Sequence, residues 1–129
     1  MTSCASNLKS LWTSQFNYAA LYGKPDGKLP EATGSDFFLA LQRTPKPMIS
    51  RYEPFICPLS DETPGPGRCS YRGPAYSLRL KESEDPVSAD KEGNHGPGRG
   101  GNVLTKTGDV FEVEETDALW LRARTTTKE

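Results

Sequence analysis

Cysteine and histidine are scarce in this chain of 129 residues, and their spacing does not suit a metal site. Cys4, Cys57 and Cys69 form no CxxC pair, and the only histidine, His95, lies in a glycine-rich stretch. Structural zinc sites need four such ligands at short, regular spacings. We therefore predict no metal and no cofactor, and we expect the thiols to be reduced, as in cytosolic proteins.

Long apolar runs and basic blocks are also missing. No window approaches the roughly 18 apolar residues of a membrane span, and the N-terminal segment lacks the continuous apolar region of a signal peptide. The 16 basic and 17 acidic residues are mixed along the chain and give a net charge of −1. This balance offers no patch to attract nucleic acid or anionic lipid, so we predict neither as a partner.

The sequence contains no pattern that is typical of a catalytic centre. GNHGPGRGG (93–101) lacks the Gly-Lys-Ser/Thr ending of a phosphate-binding loop. The acidic residues between positions 112 and 117 are expected to be solvated, because a paired acid and base would need an enclosing pocket. We predict that the chain is not an enzyme and has no small-molecule substrate.

Composition predicts a chain that is mostly irregular and extended, with little regular secondary structure. Hydrophobic residues make up 34%, whereas globular chains have roughly 45–50% on a scale that also counts glycine. Twelve glycines and eleven prolines make up about 18% of the chain, above the usual roughly 12%. We expect short ordered elements joined by segments that gain order from a partner.

Four short ordered elements are predicted. An N-terminal helix over about 6–22 follows from apolar residues that recur every three or four positions: Leu8, Leu11, Trp12, Phe16, Ala19 and Ala20. A second short helix over about 36–43 is capped by Ser35 or Asp36, and a small hairpin is expected at about 103–115. Thr116 or Asp117 caps a last helical turn. The apolar stripe of the first helix either faces a core or docks on a partner.

Four segments follow from the shifts in composition. Residues 1–43 form a short helical region, and residues 44–80 form a proline-rich extended segment that contains a PG-rich motif. Residues 81–102 are charged and then glycine-rich, which predicts a disordered linker. Residues 103–129 hold the hairpin and the terminal helical turn.

The most specific motif is TPGPG at 63–67, followed by GPAYS at 73–77. Alternating proline and glycine produce a defined bend, because proline fixes φ and glycine admits positive φ. The motif resembles the sperm-tail PG-rich repeat of outer-dense-fibre and SHIPPO-type proteins over about 63–79. This resemblance implies a non-catalytic structural protein of the ciliary or flagellar axoneme, within the cytoplasm and cytoskeleton. It would bind and stabilise microtubules, with tubulin and other axonemal proteins as partners, and a microtubule inner protein is one form that this role takes.

The residues expected to contact such a partner fall in two groups. Aromatic and arginine side chains are enriched at interaction hot spots, and the helix supplies Trp12 and Phe16. The motif region supplies the bend, two tyrosine anchors and two arginines that would face an acidic surface: Pro64, Gly65, Pro66, Gly67, Arg68, Tyr71, Arg72 and Tyr76. The alternative is a soluble adaptor that binds other proteins through polyproline segments and a short amphipathic helix.

Overall fold

The computed structural model describes residues 2–22, 32–43, 51–58, 60, 63–76, 84–91 and 100–129. The helices are α1 (Thr2–Tyr22), α2 (Asp36–Leu39) and α3 (Ala118–Thr126), with 3-10 turns at Ala40–Gln42 and Glu53–Phe55. The strands are β1 (Tyr71–Pro74), β2 (Pro86–Asp90), β3 (Gly101–Thr105), β4 (Val110–Val113) and β5 (Thr127–Lys128). No described helix combines the length and the apolar character that a membrane span requires.

The five strands form one antiparallel sheet in the order β4-β3-β2-β1-β5. β3 and β4 form a hairpin in which Gly101 pairs with Val113 and Leu104 pairs with Val110. β2 carries a bulge between Pro86 and Ser88 where it pairs with β3. The chain thus returns several times through one sheet, and each strand helps to bury its neighbours.

The sheet is covered on both faces. On one face α1, α2 and the 3-10 turn at 53–55 contribute to the larger core cluster, together with Val87 and Leu104. On the other face α3 places Trp120 and Ala123 against Ala89 and Val103. Successive residues of a strand point to opposite faces, so Val103 and Leu104 belong to different clusters. The result is a helix–sheet–helix arrangement in three layers.

The prediction of a mostly irregular, extended chain is wrong. The structure contains three helices and a five-stranded antiparallel sheet. Much of the error in this prediction concerns β2. All five residues of β2 are buried, although two of them, Ser88 and Asp90, are polar. Asp90 is tolerated there because its carboxylate accepts hydrogen bonds from Asn102, and average composition does not reveal such a pairing.

The predicted elements are present with shifted bounds. α1 begins at Thr2 instead of about residue 6, and the second helix keeps α-helical geometry only to Leu39 before a 3-10 turn. The Asp117 cap of the last helix is confirmed, since its Oδ1 accepts from Leu119 N–H at 2.8 Å. β2 runs through the 81–102 segment that was predicted to be a disordered linker, while residues 92–99 lie outside the described residues. Described residues from all four predicted segments enter the larger core cluster.

A disulfide joins Cys4, in the first turns of α1, to Cys57. The prediction from the sequence was that these thiols are reduced. The two Cα atoms lie 5.2 Å apart, which is within the range that a disulfide spans without backbone movement. The bond closes a loop with a sequence separation of 53 residues and is fully buried. Cys69 is buried and outside the disulfide, and its Sγ donates to the Tyr71 carbonyl at 3.6 Å.

Removing the disulfide is expected to destabilise the protein strongly. Loop-closure entropy for a loop of this length predicts a loss of about 4 kcal/mol in the free energy of unfolding. Urea denaturation of the Cys4→Ala/Cys57→Ala variant, with and without a reductant, measures this loss. The reductant should lower the stability of the wild-type protein and leave the variant unchanged. Equal stability of the two proteins without reductant would contradict the expectation.

Gly73 lies where β1 passes close to the backbone of residue 34. Gly34 N–H donates to the Pro74 carbonyl at 2.8 Å, and a Cβ atom on Gly73 would strike the Gly34 carbonyl oxygen. Gly73→Ala should therefore lower the free energy of unfolding by about 1–3 kcal/mol, measured by urea denaturation. Gly65→Ala is the matched control, because its Cβ would meet only the Arg68 side chain at 3.6 Å. The explanation fails if both substitutions have equal effects.

Candidate functional site

The TPGPG bend is a tight turn at the protein surface. Arg68 N–H donates to the Gly65 carbonyl at 3.3 Å, and Gly67 between them has a φ of 73°. Proline at the second turn position and glycine with positive φ at the third are features of a type II turn. Gly67 N–H donates to Gln42 Oε1 at 3.1 Å, which attaches the turn to the 3-10 segment after α2. The exposed members of the turn are Pro64, Pro66, Gly67 and Arg68, whereas Gly65 is buried.

The side chains that follow the turn are largely engaged inside the protein. Tyr71 is 0% exposed, and its hydroxyl accepts from Asn7 Nδ2 at 3.4 Å. Arg72 is half-buried and donates from Nε to Thr127 Oγ1 at 3.0 Å and from Nη2 to the Thr127 carbonyl at 2.6 Å. Tyr76 is half-buried. Tyr71 and Arg72 therefore connect β1 to its neighbours. The turn is the accessible part of the motif.

The two aromatic residues predicted on the first helix have different environments. Trp12 is buried, with its ring 5.4 Å from that of Phe16 in an edge-to-face contact and 6.5 Å from that of Phe37. Phe16 is 54% exposed. The apolar stripe of α1 therefore faces the core through Trp12, and Phe16 lies at its margin, accessible to solvent.

The structure also brings together a buried polar centre that the sequence analysis did not identify. The ligand atoms of Cys4, Cys57 and Asp90 all lie within 4.8 Å of one another. Asp90 Oδ2 accepts from the backbone N–H of Asn102 at 2.8 Å and from its Nδ2 at 3.2 Å. The two sulfurs form a disulfide and do not carry the thiolate charge that metal ligation requires. The disulfide therefore joins α1 covalently to the segment that contains Cys57, and the adjacent Asp90 carboxylate joins β2 to β3 by hydrogen bonds.

Tyr71 belongs to the same buried region, and its ionisation is strongly disfavoured. Burial raises the pKa of the Tyr71 phenol well above its usual range. The hydrogen bond from Asn7 lowers the pKa, while the charges of Asp90 and Cys69 raise it further. The neutral phenol is therefore the form that the folded protein requires.

No local signal in the sequence marks this centre. The paired cysteines are 53 positions apart, and three cysteines allow three different pairings. Asp90 lies in a segment whose many charges predict solvation. The antiparallel register, in which Tyr71 pairs with Asp90, places those two residues side by side.

Comparison of the chain with protein-family models, with curated protein sequences and with solved structures gave no match. The fold and the buried centre define the chain as a small helix–sheet–helix domain closed by one disulfide. The resemblance to the PG-rich repeat rests on its motif alone and stays a prediction.

Tyr71 should make stability depend on pH in the alkaline range. Its pKa is higher in the folded state than the unfolded value of about 10, so its contribution is complete below pH 10 and is lost as the pH rises above that value. Between pH 8 and pH 11 the wild-type protein should lose about 1 kcal/mol more unfolding free energy than Tyr71→Phe, measured by urea denaturation. Tyr52→Phe, at an exposed position, should behave like the wild-type protein. Identical pH dependence in wild-type and Tyr71→Phe proteins would refute this assignment.

Proposed function

We propose that this chain is a non-catalytic structural module that presents surface elements to a protein partner in an oxidising compartment. The observation that carries the proposal is the buried Cys4–Cys57 disulfide. Disulfides persist outside the reducing cytosol, and small domains use them to supplement a limited core. The disulfide attaches the start of α1 to the segment before β1, so the helix is held in the fold before any partner binds.

The groove beneath α3 supports a non-catalytic role. It is lined by Arg72, Ala89, Trp120, Ala123 and Arg124, and it is too shallow to enclose a water-sized molecule. Ligand sites are usually clefts of about 300–1,000 Å³. None of the five lining residues is a nucleophile or a general base in the physiological pH range.

A microtubule-binding role in the axoneme is the second candidate, and the exposed Pro64–Arg68 turn is the observation that favours it. The fold supports this role less well than the sequence does, because Tyr71 and Arg72 are engaged inside the protein. The axonemal role also places the chain in a reducing compartment, where the Cys4–Cys57 bond would not persist. For the adaptor alternative, the Pro45 and Pro47 segment lies outside the described residues.

The redox state of the cysteines in the source cells distinguishes these roles. Acid quenching and thiol alkylation, followed by mass spectrometry, should recover Cys4 and Cys57 as one linked peptide pair. Cys69 should be alkylated only after unfolding, because it is buried. Alkylation of Cys4 and Cys57 without added reductant would contradict the proposal. Co-sedimentation with microtubules, with Arg68→Glu as a weakened variant, would then support the axonemal role.

A further inference from the structure

We propose that the free edge of β4 binds an extended segment of another protein, with alternating basic and apolar residues, by strand addition. This inference rests on the proposed function, because it names the surface through which the module would act. Strand addition obtains affinity from main-chain hydrogen bonds and specificity from alternate side chains.

The backbone of β4 is positioned to receive such a strand. β4 ends the strand order, and within the described part of the chain it pairs only with β3. Glu112 lies opposite Asn102, whose N–H is directed away from β4 to Asp90 Oδ2 on β2. In an antiparallel ladder, two residues opposite each other direct their backbone groups either toward each other or both away. The N–H and C=O of Glu112 therefore point out of the sheet, and the alternation gives Val110 the same orientation.

The opposite edge of the sheet does not offer an equivalent site. β5 is only two residues long, Thr127–Lys128. The backbone of Gly34 lies against the residue that follows β5, because a Cβ on Gly34 would strike the Glu129 carbonyl oxygen. Short and covered edges are the usual protection against strand pairing. β4 is longer and contains no proline, so its edge is the one that can pair with an added strand.

The two faces of β4 differ in chemistry, and this difference defines the partner. Phe111 is 46% exposed on the face that α3 covers further along the sheet, next to the half-buried Val113. Glu112 is exposed on the opposite face, because neighbouring strand residues alternate. A paired strand with an apolar residue beside Phe111 and a lysine or arginine beside Glu112 satisfies both faces.

The charges around the edge favour a basic partner over a second copy of this chain. Exposed carboxylates lie before, within and after β4 at Asp109, Glu112, Glu114 and Asp117. Antiparallel pairing of two β4 strands would bring these groups together along one seam, and like charges across a strand pair destabilise it. The same negative charges would raise the rate at which a basic segment associates with the edge, and they would raise the specificity of its binding.

Fluorescence anisotropy with a labelled eight-residue peptide of alternating lysine and valine tests the inference. The peptide should bind the wild-type protein, whereas a peptide with four lysines followed by four valines has the same charge and should bind at least tenfold more weakly. Glu112→Gln should weaken binding of the alternating peptide about fivefold. Glu53→Gln removes an exposed charge far from β4 along the chain and should leave binding unchanged.

Glu112→Pro tests the backbone contribution. It removes the outward N–H together with the charge, and proline is tolerated on edge strands where the N–H faces solvent. Binding should fall well below that of Glu112→Gln, while circular dichroism should show an unchanged fold. Hydrogen exchange should report new protection of the Val110 and Glu112 amides when the peptide binds. If Glu112→Pro fails to fold, this protection in the wild-type protein decides the question.

Three results would overturn the inference. The first is equal affinity for the alternating and block peptides, which would indicate charge attraction alone. The second is the absence of binding, which would make the acidic residues a protection against edge pairing. The third is concentration-dependent dimerisation in analytical ultracentrifugation that Glu112→Pro abolishes, which would make a second copy the occupant. If Cys4 and Cys57 are found linked, each of these results overturns strand addition at β4 but leaves the proposed function intact. Failure of the inference can therefore be distinguished from failure of the proposed function.

Discussion

The Cys4–Cys57 bond lies where three parts of the chain meet, and the arrangement of the core depends on it. The bond ties the start of α1 to the segment that precedes β1, and the Asp90 carboxylate on β2 lies within 4.8 Å of both sulfurs. Asp90 is in turn held by Asn102 on β3. A core of modest size gains from such a covalent constraint, because the bond lowers the entropy of the unfolded chain without adding apolar volume.

The packing on both faces of the sheet determines which side chains remain accessible to a partner. Tyr71 and Trp12 are buried by this packing, although both have the chemistry of interaction anchors. Within the described residues, the accessible features include the turn at Pro64–Arg68, Phe16 on α1 and the outer edge of β4. Under the proposed function, the protein would present a turn and a sheet edge from a folded body and would not wrap around its partner.

Local elements were largely predictable from the sequence. The three-four spacing of apolar residues indicated α1, and the hairpin β3–β4 followed from two apolar stretches separated by a glycine-containing turn. The Asp117 cap was also evident, because a side-chain oxygen that binds a nearby backbone N–H is a local interaction. The prediction of an extended fold class was wrong because it was inferred from average composition. Average composition carries no information on which of the few apolar residues contact one another.

The sequence by itself determined the helix α1, the hairpin and the proline–glycine turn, since each depends on contacts between residues that are close along the chain. Only the tertiary structure decided which cysteines pair, that Ser88 and Asp90 are buried, and that Tyr71 is internal. These outcomes depend on the register between strands and on the covering of both sheet faces. Both are set by contacts between residues far apart in the chain, and no short segment of the sequence carries a signal for them.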